Sequence, residues 1–205
     1  MTQREQQMQM TREAIKQAAL ELFCRHGIEQ TDMAEIAGAA GVARRTLYYH
    51  YKDKEALAAE IYIENLSVMF GELASSFRFE QPLESLDTIL NRYLLLRQQS
   101  ESLLYYDAIF NVYFSTLSKN PADLPEYKQL TNAAYSKLMQ LSQDDISSEV
   151  QAIWLEKLYH STHLLFTYLQ KAVIVSRQCG AAPTEADYET DRRFKDFIMV
   201  AVSNG

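Results

Sequence analysis

The sequence predicts an all-α protein with a three-helix domain at residues 1–54, followed by a larger six-helix domain at residues 55–205. Six glycines and four prolines are few for a chain of 205 residues built from strands and tight turns. Long stretches contain neither residue, and their apolar side chains recur at the spacing of a helix. Hydrophobic residues make up 47% of the chain, which is enough to form a buried core.

The first helix is predicted to begin at Thr11 and to end at His26. Its apolar residues follow the spacing of one buried helix face, and they are Ile15, Ala18, Ala19, Leu22 and Phe23. Gly27 is a suitable stop because glycine readily adopts the left-handed conformation that ends many helices. The polar residues 1–10 precede this pattern, and we expect them to form a frayed arm.

A second, short helix is predicted over residues 33–39. Asp32 and Glu35 form a variant of the capping box, in which the first side chain accepts from the helix start and the second reaches back. Gly41 can then take the positive φ of a tight turn, and Val42 can fill the angle between two helices. Two short helices joined in this way form a helix-turn-helix.

The third helix, at residues 44–50, has two different faces. Leu47 and the following Tyr51 fall on one side, and Arg45 and Tyr49 fall on the opposite side. The flanking positions add further hydrogen-bonding side chains, namely Arg44, Thr46, Tyr48 and His50. One face therefore packs, and the other is a dense donor surface suited to bases and phosphates in the major groove.

Over roughly Thr11 to Ile61, the sequence resembles the amino-terminal domain of the TetR family of bacterial transcriptional regulators. The motif residues that carry the resemblance are Gly27-Ile28, Thr31, Ile36-Ala37, Ala40-Gly41-Val42, Thr46-Leu47-Tyr48-Tyr49-His50-Tyr51, Lys54-Glu55 and Leu57. The resemblance implies backbone contacts to DNA from Tyr48, His50 and Lys54. It implies contacts to bases, which set operator choice, from Arg44, Arg45 and Tyr49.

Two positions depart from the family's pattern. Arg45 stands where a small residue or proline is usual, and Asp32 stands where Thr or Ser often caps the second helix. Asp32 caps well, but its charge repels phosphate, which puts in doubt the hydroxyl-to-phosphate contact common at that helix start.

The net charge of −7 is unevenly distributed along the chain. Residues 1–54 hold eight Lys or Arg and seven Asp or Glu, so the acidic excess lies entirely in residues 55–205. DNA binding would therefore depend on a local basic patch, formed by Arg44, Arg45, Lys52 and Lys54. Each phosphate that this patch neutralises should steepen the salt dependence of binding.

Six helices are predicted in the larger domain, with Pro82, Pro125 and Gly180 among the residues that separate them. The predicted spans are 54–77, 83–99, 102–117, 125–141, 149–177 and 185–202. Asp144 and Asp145 are predicted to form a turn. The resemblance implies that the last two helices pair with those of a second copy, giving the two-fold homodimer that two DNA half-sites require.

A cluster of aromatic residues lies on the helix predicted at 102–117. Tyr106, Phe110, Tyr113 and Phe114 share one side of it. They fit an aromatic core, or they fit the wall of a pocket for a small-molecule effector, in which the phenol hydroxyls are polar anchors. The predicted lining of this pocket is completed by Trp154, His163 and Phe166 of the long helix.

The sequence gives little support for a metal site or for an enzyme. Glu156, His160 and His163 share a helix face at a spacing that could bind Zn²⁺, but no fourth ligand is evident, and structural histidines are the simpler explanation. We predict no metal and no cofactor. There is no phosphate loop or nucleophile motif, so we expect no catalytic activity.

We also expect neither a signal peptide nor a membrane span, and hence a cytoplasmic protein. Cys24 and Cys179 are far apart in sequence and are expected to be reduced. The pattern as a whole predicts an effector-responsive, dimeric regulator that represses transcription from a palindromic operator. The alternative is a helical small-molecule-binding protein whose helix-turn-helix serves packing or protein docking.

Overall fold

The computed structural model describes residues 2–140 and 146–204. Within these ranges the chain forms nine α-helices, one short 3₁₀ turn at Pro121–Asp123 and no strand, which confirms the predicted all-α class. The helices are α1 (Gln3–His26), α2 (Met33–Ala39), α3 (Arg44–His50), α4 (Lys54–Ser76), α5 (Pro82–Gln99), α6 (Glu101–Thr116), α7 (Pro125–Gln140), α8 (Ser148–Cys179) and α9 (Glu185–Asn204). The turn predicted at Asp144–Asp145 lies outside the described residues.

The chain divides into two compact units. Unit 1 comprises Met1–Leu66 and Ile109–Leu124, and unit 2 comprises Ser67–Ala108 and Pro125–Gly205. Helices α4 and α6 each contribute residues to both units. The boundary predicted from the sequence, between residues 54 and 55, falls inside unit 1 and remains a prediction about function.

Helix α1 begins eight residues earlier than the sequence analysis predicts. Thr2 is the N-cap, and its hydroxyl accepts a hydrogen bond from the backbone N–H of Glu5 at 3.3 Å. The Glu5 carboxylate accepts from the backbone N–H of Thr2 at 2.7 Å, which completes a capping box. The expectation of a frayed arm over residues 1–10 is therefore wrong from Gln3 onward, because capping rather than burial starts this helix.

The core of unit 1 holds α1, α2 and α3 together. Ile15, Phe23, Ile36 and Leu47 are fully buried. In the same unit, the Tyr62 ring stacks on Phe110 with the ring centroids 4.2 Å apart, which adds an aromatic contact between α4 and α6. The helix-turn-helix is thus supported from one side, which leaves its other side available to solvent.

Unit 2 is organised around α5, which packs against α8 and α9. Its fully buried side chains include Leu86, Leu90, Leu165, Leu169 and Val173. Gly180 ends α8 in the left-handed conformation, with φ of 64°, as predicted for a stop at this position. None of the described helices is long and apolar enough to cross a membrane.

Candidate nucleic-acid interface

Helix α2 begins at the capping box that the sequence predicts. One Asp32 carboxylate oxygen accepts from the backbone N–H of Ala34 at 2.7 Å and of Glu35 at 3.1 Å. The Glu35 carboxylate accepts from the Asp32 N–H at 3.2 Å. The hydrogen bonds from the Glu35 and Ala34 amides hold the pKa of Asp32 below its ordinary value, so this exposed residue stays negatively charged beside the interface.

Helix α3 follows a turn in which Gly41 has φ of 66°, and it presents the two faces that the sequence predicts. Leu47 is fully buried, and Tyr51 directly after the helix is 3% exposed. On the other side, Tyr48 and Tyr49 are 54% and 69% exposed. Two exposed aromatic side chains next to each other form an amphipathic surface that is suited to a partner.

The remaining predicted DNA contacts lie on the same short helix. Arg44 and Arg45 are exposed, and Thr46 and His50 are half-buried. The Tyr49 and His50 rings meet edge to face, with their centroids 5.4 Å apart. The structure therefore brings six of the seven predicted residues together on α3.

The seventh residue, Lys54, has a structural contact that sequence reasoning missed. Its ammonium donates hydrogen bonds to the backbone carbonyls of Glu29 and Thr31, each at 2.7 Å. Burial holds the pKa of Lys54 below its ordinary value. An ammonium group has three donors, so Lys54 can hold the segment before α2 and still offer one N–H to a phosphate.

Two open grooves border the exposed face of α3, one on each side. The first, called the α2–α3 groove, includes Glu29, Asp32, Arg44, Tyr48 and Lys54 in its lining. It combines cations with two carboxylates. The absence of the hydroxyl-to-phosphate contact at this helix start remains a prediction.

The second groove, called the α1–α3 groove, was not predicted. Its lining consists of Gln3, Arg4, Gln7, Met8 and Thr11 of α1 with Thr46, Tyr49 and His50 of α3. The expectation of a frayed arm hid the contribution of α1. The Thr-x-x-Glu pattern at Thr2 and Glu5 was the signal that could have revealed it.

The residues predicted to line an effector pocket are divided between the two units. Phe110 and Phe114 belong to unit 1, where both are buried and their ring centroids lie 4.3 Å apart. Tyr113, on the same helix and in the same unit, is half-buried. These contacts fit the aromatic-core alternative for this part of the set.

The other predicted pocket residues lie in unit 2. Tyr106 is fully buried, and Trp154 and Phe166 are half-buried against the hydrophobic core. His163 is exposed, and its ring stacks on that of Tyr159 at a centroid distance of 5.9 Å. Its position on the surface of α8 does not match that of a side chain lining an enclosed cavity in a single chain. The assignment of these residues to an effector site remains a prediction.

The histidines of α8 are not arranged as a metal site. His160 Nε2 lies 3.8 Å from a carboxylate oxygen of Glu156, and His163 stacks on Tyr159 instead of joining them. Among residues 2–140 and 146–204, no group of three His, Cys, Asp or Glu is placed to hold a metal ion.

Comparisons with known proteins agree with this geometry. Residues 15–61 match the sequence pattern of bacterial regulatory proteins of the tetR family. The HTH-type transcriptional regulator AcrR of Shigella flexneri is 39% identical over 84 residues, which cover 41% of this chain and 39% of AcrR. The HTH-type transcriptional repressor KstR2 of Mycolicibacterium smegmatis is 27% identical over 116 residues, which cover 57% of this chain and 54% of KstR2. The chain thus aligns with about half or less of the length of these relatives.

The fold likeness extends further along the chain than the sequence likeness. The crystal structure of a TetR family transcription regulator from Marinobacter aquaeolei VT8 has a TM-score of 0.63 and 18% identity, and the match covers 96% of this chain and 97% of that one. The helix-turn-helix at α2 and α3 lies inside the segment that matches the family pattern. On this evidence, residues 15–61 are similar to the tetR family of bacterial regulatory proteins, and the chain as a whole has a fold similar to that of a TetR family transcription regulator.

Proposed function

We propose that this protein is a dimeric transcriptional regulator that represses transcription by binding a palindromic operator through α3. The observation that carries the proposal is the exposed face of α3, which presents Arg44, Arg45, Tyr48 and Tyr49. The opposite face of the helix is anchored by buried Leu47. The named relatives, a regulator and a repressor, support the same class of function. The protein would act in the cytoplasm and would need no catalytic activity.

The chemistry of α3 suits sequence-specific recognition. An arginine can grip guanine or a phosphate with two parallel hydrogen bonds, so Arg44 and Arg45 can supply both affinity and base choice. Tyr49, the most exposed aromatic residue of the helix, can contact base edges beside them. Backbone contacts from Tyr48, His50 and Lys54, with Thr46 beside them, would fix the orientation of α3 on the duplex.

The last two helices offer a surface for a second copy of the chain. Ile153 and Leu164 on α8 and Phe197 and Val200 on α9 are exposed, and Phe197 is 64% exposed. Apolar side chains in such number on neighbouring helices are typical of a subunit interface. A two-fold dimer through this surface would present two α3 helices to half-sites about 34–36 Å apart.

We further propose that a small molecule controls this dimer by binding within unit 2, where Trp154 and Phe166 border the core. An apolar or amphipathic compound suits such surroundings. The compound would lower operator affinity only to the extent that it binds the DNA-free conformer more tightly than the DNA-bound conformer.

The test is selection of DNA from a random pool, followed by binding measurements from about 0.05 to about 0.2 M salt. We expect a palindromic consensus and a steep loss of affinity with salt. The double substitution Arg44→Ala with Arg45→Ala should abolish this binding without changing the melting temperature. Arg25→Ala, at an exposed position near the end of α1, is the matched control.

The alternative is a helical small-molecule-binding protein whose helix-turn-helix serves packing or docking. It would be favoured if the double variant kept the DNA affinity of the wild type, or if no consensus emerged from the pool.

A further inference from the structure

The first two turns of α1 form an exposed polar helix with no packing role. Residues 2–10 are all exposed, and α1 has no buried side chain before Ile15. The capping box at Thr2 and Glu5 defines the helix start. Capping, and not burial in the core of unit 1, therefore defines this part of the helix.

These two turns form one wall of the open α1–α3 groove, and α3 forms the other. Gln3, Arg4 and Gln7 line one wall, and Thr46, Tyr49 and His50 line the other. Gln7 lies four residues after Gln3 and three after Arg4, so it neighbours both on the helix surface. The side chains that flank the exposed face of α3 thus also face α1.

The chemistry of this groove favours an anion. Its lining in the described chain includes no Asp or Glu, although the whole protein has a net charge of −7. The lining is rich in hydrogen-bond donors, which include the guanidinium of Arg4, two glutamine amides and the Thr46 hydroxyl. By comparison, the α2–α3 groove on the other side of α3 includes Glu29 and Asp32.

The guanidinium of Arg4 is available to a ligand. It forms no ion pair with any residue in 2–140 or 146–204, whereas Arg12, two turns later on the same helix, binds the Glu60 carboxylate. An exposed arginine without a carboxylate partner, beside the exposed face of α3, is available for bidentate binding of a phosphate.

We propose that the α1–α3 groove receives the DNA backbone next to the base pairs contacted by α3, with Arg4 and Gln7 donating to phosphate oxygens. The inference rests on the proposed DNA-binding function and extends the interface from the helix-turn-helix to the first turns of α1. These contacts add affinity and fix the position of α3 on the duplex, and they carry no base preference of their own.

The test measures binding to the selected operator at several salt concentrations, with melting temperatures to confirm folding. Arg4→Ala should weaken binding about three- to tenfold, and it should reduce the slope of log affinity against log salt by about 0.9 for each subunit. Arg25→Ala, which removes the same charge from the far end of α1, should leave that slope unchanged.

A second pair of variants separates a groove contact from a general effect of charge. Gln7→Glu places a carboxylate in the groove, and Gln6→Glu places the same charge about 100° around the helix, outside the groove lining. We expect Gln7→Glu to weaken binding at least about fivefold more than Gln6→Glu.

Equal losses for these two variants, or wild-type affinity and slope for Arg4→Ala, would overturn the inference while leaving the regulator function intact. If the wild-type protein selects no DNA, the proposed function fails and this inference fails with it.

Discussion

The buried ion pair between Arg97 of α5 and Asp191 of α9 gives the sharpest test of how unit 2 is held together. Arg97 Nε lies 2.9 Å from Asp191 Oδ2, and the two side chains are 2% and 4% exposed. Their N–H and oxygen are not well enough aligned for a hydrogen bond, so the contact is mainly Coulombic. The Tyr168 hydroxyl donates to Asp191, and the Arg97 guanidinium lies 5.9 Å from the centre of the Tyr188 ring.

The loss of unfolding free energy should depend on pH differently for the two single variants. Asp191→Asn leaves a buried guanidinium that stays charged, so we expect a loss of about 3–5 kcal/mol at any pH from about 5 to about 8. Arg97→Met leaves a carboxyl group that can take up a proton instead. Burial already raises the pKa of Asp191 above its ordinary value of 3.8 despite the opposing effect of Arg97, and losing Arg97 raises this pKa further.

The pH dependence of the Arg97→Met variant follows from the protonation of Asp191 in its folded and unfolded states. Between 3.8 and the raised pKa of the folded state, the folded Arg97→Met variant holds a proton that its unfolded chain has lost. Its stability therefore falls as pH rises through this window. We expect Arg97→Met to be less destabilising at about pH 5 than at about pH 8, where the carboxylate is charged and buried.

The assay is urea unfolding followed by far-ultraviolet circular dichroism at the two pH values. The double variant Arg97→Met with Asp191→Leu is the control, because replacing both charges should cost less than Asp191→Asn alone. A loss below about 1 kcal/mol for Asp191→Asn, or the same pH dependence for both single variants, would refute the reasoning.

Three further predictions concern other parts of the molecule. Lys54→Met removes two hydrogen bonds to backbone carbonyls and one cation, so operator affinity should fall at least about tenfold, and Lys52→Met, at an 82% exposed position, should lose less. Burial raises the pKa of Glu60, but the hydrogen bond and charge of Arg12 outweigh it, so the net pKa lies below the ordinary value of 4.5. The stability that Glu60 contributes is therefore complete above about pH 4.5 and is lost as pH falls through the folded pKa. Glu60→Gln should flatten the acid limb of a curve of stability against pH measured by urea unfolding. Phe197→Asp should give monomers in analytical ultracentrifugation and abolish operator binding, whereas Tyr135→Asp, on the exposed surface of α7, should leave the dimer intact.

The elements that local signals define were predicted from the sequence to within a residue or two. Helix α2 has the predicted bounds because its capping box at Asp32 and its end before Gly41 depend only on neighbouring residues. The start of α1 was missed for the opposite reason. Residues 3–10 lack apolar periodicity, and a prediction that depends on burial overlooks a helix that capping alone begins.

The parts of the site that depend on tertiary placement were less predictable. The two faces of α3 follow from helix geometry, so Leu47 and Tyr49 were assigned correctly. The bonds from Lys54 to the carbonyls of Glu29 and Thr31 join residues more than twenty positions apart, and no pattern of spacing reveals them. The exposure of His163 in the single chain was not predictable either, because helical spacing gives the face on which a residue lies but not what covers that face.

The two faces of α3 account for how an acidic protein would bind DNA in the proposed complex. Burial of Leu47 and Tyr51 holds the helix in place, so Arg45 and Tyr49 on the other side contribute little to the stability of the fold. Substitutions at these two exposed positions should therefore change which operator is chosen, with little effect on the melting temperature. The acidic excess lies beyond residue 54, so the local field at α3 depends on nearby charges, which are cationic in the α1–α3 groove and of both signs in the α2–α3 groove. In the proposed complex, Arg45 and Tyr49 would set base choice, whereas Arg4 and Gln7 in the α1–α3 groove would add phosphate affinity alone, so substitutions could alter the two properties separately.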